Sequence, residues 1–516
     1  MEINRTRNAI KGTVSGVFLK SVSVIGSFLI QTIIVKVLGK EYAGISSLFT
    51  SILSVLSLAE LGFGSALVYS MYRPIAEGDI AHLNNLLAYY RRVYNILCGF
   101  LLTVGVAILP FIKYFVKEDC PPDLNLYILY LIYLVNSVSA YIPPAYRRSI
   151  IYAYQRRDID NTYTCLVKAA QYLLQILLLL TTKNYYLFAL VLAFSNIPVT
   201  LLISARTKKD FPDIKPEGMI SKSEREVVKN KVAALFGHQL GGKVIISSDS
   251  IIISSFLGAG ILGIYSNYYY IFYSVIEMLE IIKSSIVAGV GNKIVTSERK
   301  ELFNLFKRSI YIWMMIVGWA STCLLCMYQP FIELWLGKKY LYPLSILIVI
   351  IIYFYTWQFR SVLVVFKDAA GLWTSDWYKP YLGSVINIVG SISLIIYLNS
   401  VVGVLIPTII IMCCIYFPIE THVIYNNLFI GESKVSFYLN VLKYCIINCS
   451  GMALSFLLCS VINTSSLLIN VIIYFIISSV CAIILFILLT YRTDECRWLI
   501  ANIKKRLVRS INFVRR

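Results

Sequence analysis

Fourteen apolar runs, each about 19 to 25 residues long, recur from one end of this 516-residue chain to the other. A run of that length crosses about 30 Å of hydrocarbon as a helix, and in lipid every backbone polar group must find its partner inside the segment. The chain is therefore expected to be an all-α polytopic membrane protein. The spans fall at about 14–37, 45–69, 94–116, 125–146, 163–182, 186–204, 232–256, 262–285, 309–333, 343–366, 380–398, 403–425, 437–460 and 467–490. The first run follows Arg5, Arg7 and Lys11 but is too long for a signal peptide and lacks a small-x-small cleavage site, so it is read as an uncleaved span.

The formal charge of +20 would suit nucleic acid if the basic residues formed one face. They do not. With the N-terminus inside, segments on the inner side carry about seven times as many Lys and Arg as those outside, which is the positive-inside asymmetry and places both termini in the cytoplasm. No nucleic-acid partner is expected. Twelve cysteines lie mostly within spans, where free Cys acts as a small hydrophobe. Cys323 and Cys326 are separated by two leucines in mid-span, a poor setting for a metal. No cofactor is expected.

The longest inner connection, 205–231, holds Pro212, Pro216 and eight basic residues. It divides the chain into an N-lobe (1–204, spans 1–6) and a C-lobe (232–425, spans 7–12), followed by spans 13–14 (426–490) and a basic tail (491–516). Each lobe has an even number of spans, so both enter the membrane in the same direction, as parallel repeats. Leu38-Gly39, then Gly44-Ile45, recurs 219 residues later as Leu257-Gly258, then Gly263-Ile264. In the tail, Leu499, Ile503, Leu507 and Ile511 recur every four residues between basic side chains. An amphipathic helix on anionic lipid and a solvated tail that enforces topology are equally open readings.

Charges inside spans are functional candidates, because burying them is costly. Gly237 to Val244 mimics a phosphate loop but has Val244 where a hydroxyl is needed. Lys20 and Lys243 each sit on the first helix of a lobe, with Glu60 and Glu277 on the second at similar depth, and Glu280 one turn beyond Glu277. Structural ion pairs and a polar cavity meeting an anionic substrate both fit. Lys168 and Arg360 are weaker cavity candidates, since both lie near span ends and can snorkel. Asp249, among Ser247, Ser248, Ser250, Ser254 and Ser255, suits a coupling cation or a helix-packing hydrogen bond. His238 and His422 read as satisfied core histidines.

Two stretches carry a resemblance. Leu38-Gly-Lys-Glu-Tyr-Ala-Gly44-Ile45 with Glu60-Leu-Gly-Phe-Gly-Ser-Ala66 and Tyr72-Arg-Pro-Ile-Ala-Glu-Gly-Asp79 resembles the first hairpin and inner loop of polysaccharide flippases. These belong to the multidrug/oligosaccharidyl-lipid/polysaccharide exporter superfamily. Ser248-Asp-Ser-Ile-Ile-Ile253, Phe256-Leu-Gly258, Gly263-Ile-Tyr-Ser-Asn-Tyr268 and Leu334-Trp-Leu-Gly337 are similar to its second half. The resemblance implies a flippase, not an enzyme, moving undecaprenyl-diphosphate-linked oligosaccharide repeat units across the bacterial cytoplasmic membrane for O-antigen, capsule or exopolysaccharide synthesis. It implies alternating access coupled to H+ or Na+, contact with membrane lipids, and a polymerase and chain-length machinery as partners. A multidrug antiporter of the same fold is the alternative, and a polymerase or ligase is disfavoured by the tiny outer loops. The acids Glu60, Asp249, Glu277 and Glu280 match Lys20, Lys168, Lys243 and Arg360 in number, so the sequence gives no net positive cavity.

Overall fold

A computed structural model describes residues 5–57, 63–117, 120–462 and 464–514. All regular elements among them are helical. Among the described residues, ten helices are long and apolar enough to cross a membrane, and the described parts of the remaining expected spans also contain helices. They are Lys40–Leu56 and Phe63–Glu77, the short Leu126–Ser139, and the long helices Lys222–Leu257 and Ala259–Thr296. At 1.5 Å per residue, the 36-residue helix Lys222–Leu257 is about 54 Å long, so it extends well past the hydrocarbon. Its extension, within the expected 205–231 linker, begins with a capping box between Ser221 and Glu224. The tail residues Asp494–Val514 form one helix.

Breaks in the rods have identifiable causes. Pro110 falls where the helix Ile80–Ile108 tightens into 3-10 geometry over Leu109–Phe115. Pro407 lies one turn before a π-helical stretch, Ile411–Tyr416, and Pro418 opens the helix that follows. Proline removes an intrahelical donor, and such local changes of winding absorb the loss.

By packing, the chain forms two compact units, Met1–Asn267 with Pro380–Val404 and Tyr268–Lys379 with Leu405–Arg516. In the first unit, Arg5–Ile33 lies along Arg157–Thr182. A Cβ on Gly26 would fall 2.1 Å from the Tyr172 ring, Ser27 hydrogen-bonds the Tyr172 hydroxyl at 3.2 Å, and Asn161 donates to the Gly12 carbonyl at 3.1 Å. In the second unit, Arg299–Leu336 is the central rod, packed by Leu344–Gln358, Lys434–Val461 and Leu467–Thr490. Asn448 fills the space left by Gly318 and donates to the Met314 carbonyl at 3.0 Å.

The sequence repeat is a structural one. Helices end at Leu38 and Leu257, the next residue is Gly39 (φ 120°, ψ 174°) or Gly258 (φ 97°, ψ 163°), and a new helix starts directly after it. Gly337 repeats the geometry (φ 100°, ψ 166°). A positive φ of this kind favours glycine. Lys117 covers the end of Lys222–Leu257: its backbone N–H donates to the Ser254 carbonyl and its ammonium to the Phe256 carbonyl, at 3.3 and 3.0 Å. These bonds satisfy carbonyls that a helix terminus otherwise leaves open.

Candidate functional site

Asp249 is buried in Lys222–Leu257, with 2 % of its surface exposed and neither carboxylate oxygen hydrogen-bonded. It makes no ion pair among the described residues. Burying a carboxylate in this state is expensive, so the group is expected either to hold a proton or to bind a cation.

An element packed beside the same helix, at Gly241 and Ser248, is Lys379–Leu398. A Cβ on Gly241 would lie 2.6 Å from the Cβ of Pro380, and one heptad later Ser248 donates to Asn387 Oδ1 at 3.0 Å. Both contacts have the same offset in numbering, so the two helices run parallel in register. That register brings Asp249 level with the turn between Asn387 and Ser391. Asn387 and Ser391 are fully buried, and the Ser391 hydroxyl, like that of Ser254, has no partner. One carboxylate among neutral oxygens is a donor set suited to a hard monovalent cation. No cluster of three or more His, Cys, Asp or Glu that could hold a metal occurs among the described residues. Asn387 and Ser391 were not anticipated from sequence. Their only signal is a polar pair four residues apart inside an apolar run.

The second feature is cationic. Lys20 and Lys168 are both half-buried, on helices held in parallel register by the Gly12–Asn161 and Ser27–Tyr172 contacts. That register leaves them within a turn of each other, and Lys168 lies in the electrostatic reach of Lys20. Lys168 makes no ion pair among the described residues. Lys243 is exposed and likewise forms none. Glu60 lies outside the described residues. Glu277 is half-buried and partnered, and Glu280 pairs with Lys283 at 2.6 Å.

Arg360 does not snorkel. Its guanidinium pairs with the buried Glu420 at 2.5 Å, and its side chain is only 12 % exposed. Lys379 reaches the same Glu420 oxygen at 2.6 Å and Asp376 at 2.8 Å, while Lys367 holds Asp376 at 2.7 Å. Arg360 and Lys379 also stack on the Tyr416 ring at 5.1 and 5.0 Å. Sequence reasoning found Arg360 and missed the other four charges. Lys367, Asp376 and Lys379 look like an ordinary polar connection until folding buries them. His422 is also corrected: it is an exposed residue bonded to Asn426 and Lys434, not a core histidine. The His238 side chain lies outside the described residues.

No family model matches the chain, and no curated protein matches it. Solved structures do. The lipid II flippase MurJ, in an inward closed conformation, superposes with a TM-score of 0.62 at 14 % identity, covering 93 % of this chain and 99 % of that one. An inward-facing multidrug resistance MATE family transporter of the MOP superfamily gives 0.59 at 14 % identity, covering 83 % and 94 %. An outward-facing MATE transporter gives 0.52 at 13 % identity, covering 85 % and 96 %. The chain is thus a multi-pass membrane protein with the fold of MOP-superfamily transporters.

Proposed function

We propose that this protein is a cation-coupled flippase that moves undecaprenyl-diphosphate-linked oligosaccharide repeat units from the inner to the outer leaflet of a bacterial cytoplasmic membrane. The observation that carries the reading is the pair Lys20 and Lys168. Lys168 makes no ion pair among the described residues and is repelled by Lys20, which has a further partner of its own, and burial strengthens that repulsion. A diphosphate shared between them reverses its sign. A transporter of organic cations would gain nothing from such a pair, so it disfavours the antiporter alternative.

Coupling is assigned to Asp249. With Asn387, Ser391 and Ser248 it offers a charged oxygen and neutral ones, which fits Na+ better than a bare proton relay. A ligand shifts a conformational equilibrium only through its differential affinity for the two states, so the site need only bind Na+ more tightly in one of them. Repeat units delivered outward would then pass to a polymerase and chain-length machinery.

Deletion in the native host tests the substrate. Lipid-linked repeat units accumulating on the cytoplasmic leaflet, with complementation by the intact gene, are the expected result. Unpolymerised units on the outer face would make the protein a polymerase instead. Unchanged glycan with altered drug sensitivity would make it an antiporter.

A further inference from the structure

The basic helix Asp494–Val514 starts almost at the end of the last apolar span, Leu467–Thr490. That span has 24 residues, so it is about 36 Å long and fills the hydrocarbon. From Thr490 to Asp494 the chain can reach about 14 Å at most. The basic helix therefore begins at the membrane surface.

It does not carry the span outward. In a straight helix residue 496 would stand about 13 Å past residue 487. Instead the Cys496 thiol reaches back to the Ile487 carbonyl at 4.0 Å and lies beside the Tyr311 hydroxyl. Tyr311 is itself bonded to Thr490 at 2.8 Å. One turn before Tyr311, Arg308 stacks on the Trp498 ring at 4.7 Å. Eight residues of chain, from Thr490 to Trp498, thus advance by only one turn along Arg299–Leu336. The basic helix runs across that rod, not along it.

This contact also sets which way the helix faces. Cys496, Leu499, Ile500, Ile503, Leu507 and Ile511 share an arc of about 120° on the helix circumference. Lys504, Lys505, Arg506 and Arg509 fall on the rest of it. Cys496 is fully buried, whereas Ile500 and Ile503, on the same stripe, are 48 and 49 % exposed. The stripe points back at a residue of the last span in its first turn, and keeps that direction where protein no longer covers it. No acidic residue follows Glu495 in the helix, so a second copy would be repelled. An apolar stripe bordered by cations matches anionic headgroups above hydrocarbon.

We propose that Asp494–Val514 is a docking surface for anionic lipid. Its apolar stripe lies at the acyl boundary, and the basic positions beside it meet the headgroup phosphates. The fold-back at Cys496 favours this over a solvated tail, which has no reason to turn an apolar stripe toward the bilayer. The proposal is independent of what the protein transports.

The full chain, one copy per nanodisc, would be compared in phosphatidylcholine and in phosphatidylcholine mixed with phosphatidylglycerol. Backbone hydrogen exchange of residues 499–511 is the readout, with Leu467–Thr490 as the internal control. Exchange is expected to be at least about tenfold slower in the anionic mixture, and the difference should shrink as NaCl is raised. Lys504→Gln, Lys505→Gln, Arg506→Gln and Arg509→Gln together remove the charges and keep the stripe, so exchange should become the same in both lipids. Should that variant not accumulate, Lys504→Gln with Lys505→Gln is expected to reduce the slowing to about threefold. Equal exchange of the parent in the two lipids, whether fast or slow, would mean a solvated or protein-docked tail and overturns the proposal. A preference for phosphatidylglycerol that survives loss of all four charges overturns it too.

Discussion

Gly44 and Gly263 pack reciprocally. A Cβ built on Gly44 would lie 1.9 Å from the carbonyl oxygen of Ala259, and one built on Gly263 would lie 1.9 Å from the carbonyl oxygen of Lys40. The repeat offset of 219 turns residue 40 into 259 and residue 44 into 263, so each half presents the same glycine to the same backbone position of the other. This is the geometry of a two-fold interface built within one chain. Close by, Gln31 donates to Asn267 at 2.8 Å and to Ser266 at 3.3 Å. The seam lies at the end predicted to face outward.

A side chain at either glycine cannot be accommodated without moving backbone. Gly44→Val is expected to destabilise this closed seam by about 1–3 kcal/mol, the usual range for overpacking. Where the protein alternates between two states, the same energy favours the state open at this end. Thiol labelling of a Ser266→Cys reporter measures it: labelling should rise several-fold in the Gly44→Val background. Equal labelling in both backgrounds would show that the seam does not control access.

Asp249 makes the opposite kind of prediction, a gain with a loss attached. Asp249→Asn removes a buried charge that has no hydrogen-bond partner, so stability without Na+ should be unchanged or higher. The stabilisation by Na+ should vanish. For a single site at a hundred times its dissociation constant, that is about 2.7 kcal/mol. A helix-packing role predicts the reverse, with stability lost in the absence of Na+. Thermal melts of the two proteins in choline and in sodium chloride decide between them.

These sites differ in how far sequence could reach them. The spans were legible because hydropathy over 20 residues is a local property, and the Leu-Gly turns because a repeated positive-φ glycine leaves a fixed pattern. Asp249 and Lys20 stood out because a charge in an apolar run is visible one residue at a time. Asn387, Ser391, Lys379 and Glu420 were not legible. Their meaning comes from the register between Lys222–Leu257 and Lys379–Leu398, and from a largely exposed connection, 370–378, that buries the one carboxylate Asp376. Neither is encoded in any single segment. Arg360 shows the limit clearly: its position near a span end suggested snorkelling, while its partner Glu420 is 60 residues away.

Exposed Lys243 tests whether the repeat of residues 38–45 at 257–264 extends to the charges. It forms no ion pair among the described residues, whereas Glu277 is partnered. Lys243→Ala and Glu277→Gln should therefore act additively on stability, within about 0.5 kcal/mol. A coupling larger than about 1 kcal/mol in that cycle would restore the ion-pair reading and remove Lys243 from the substrate path.

For Lys20 and Lys168 the prediction separates substrate contact from scaffolding. If both ammonium groups meet one diphosphate, Lys20→Gln and Lys168→Gln should each lower flipping of a lipid-linked oligosaccharide in proteoliposomes by about tenfold, or about 1.4 kcal/mol. The double variant should lose less than the product of the two, because removing either lysine already breaks the shared clamp. Stability should move the other way. Lys168 makes no ion pair among the described residues, so Lys168→Gln relieves repulsion and should melt at or above the parent temperature, whereas Lys20 has a further partner and Lys20→Gln is not expected to gain. Variants that melt lower and flip normally would show that the lysines hold the helices Arg5–Ile33 and Arg157–Thr182 in place and do not hold the lipid.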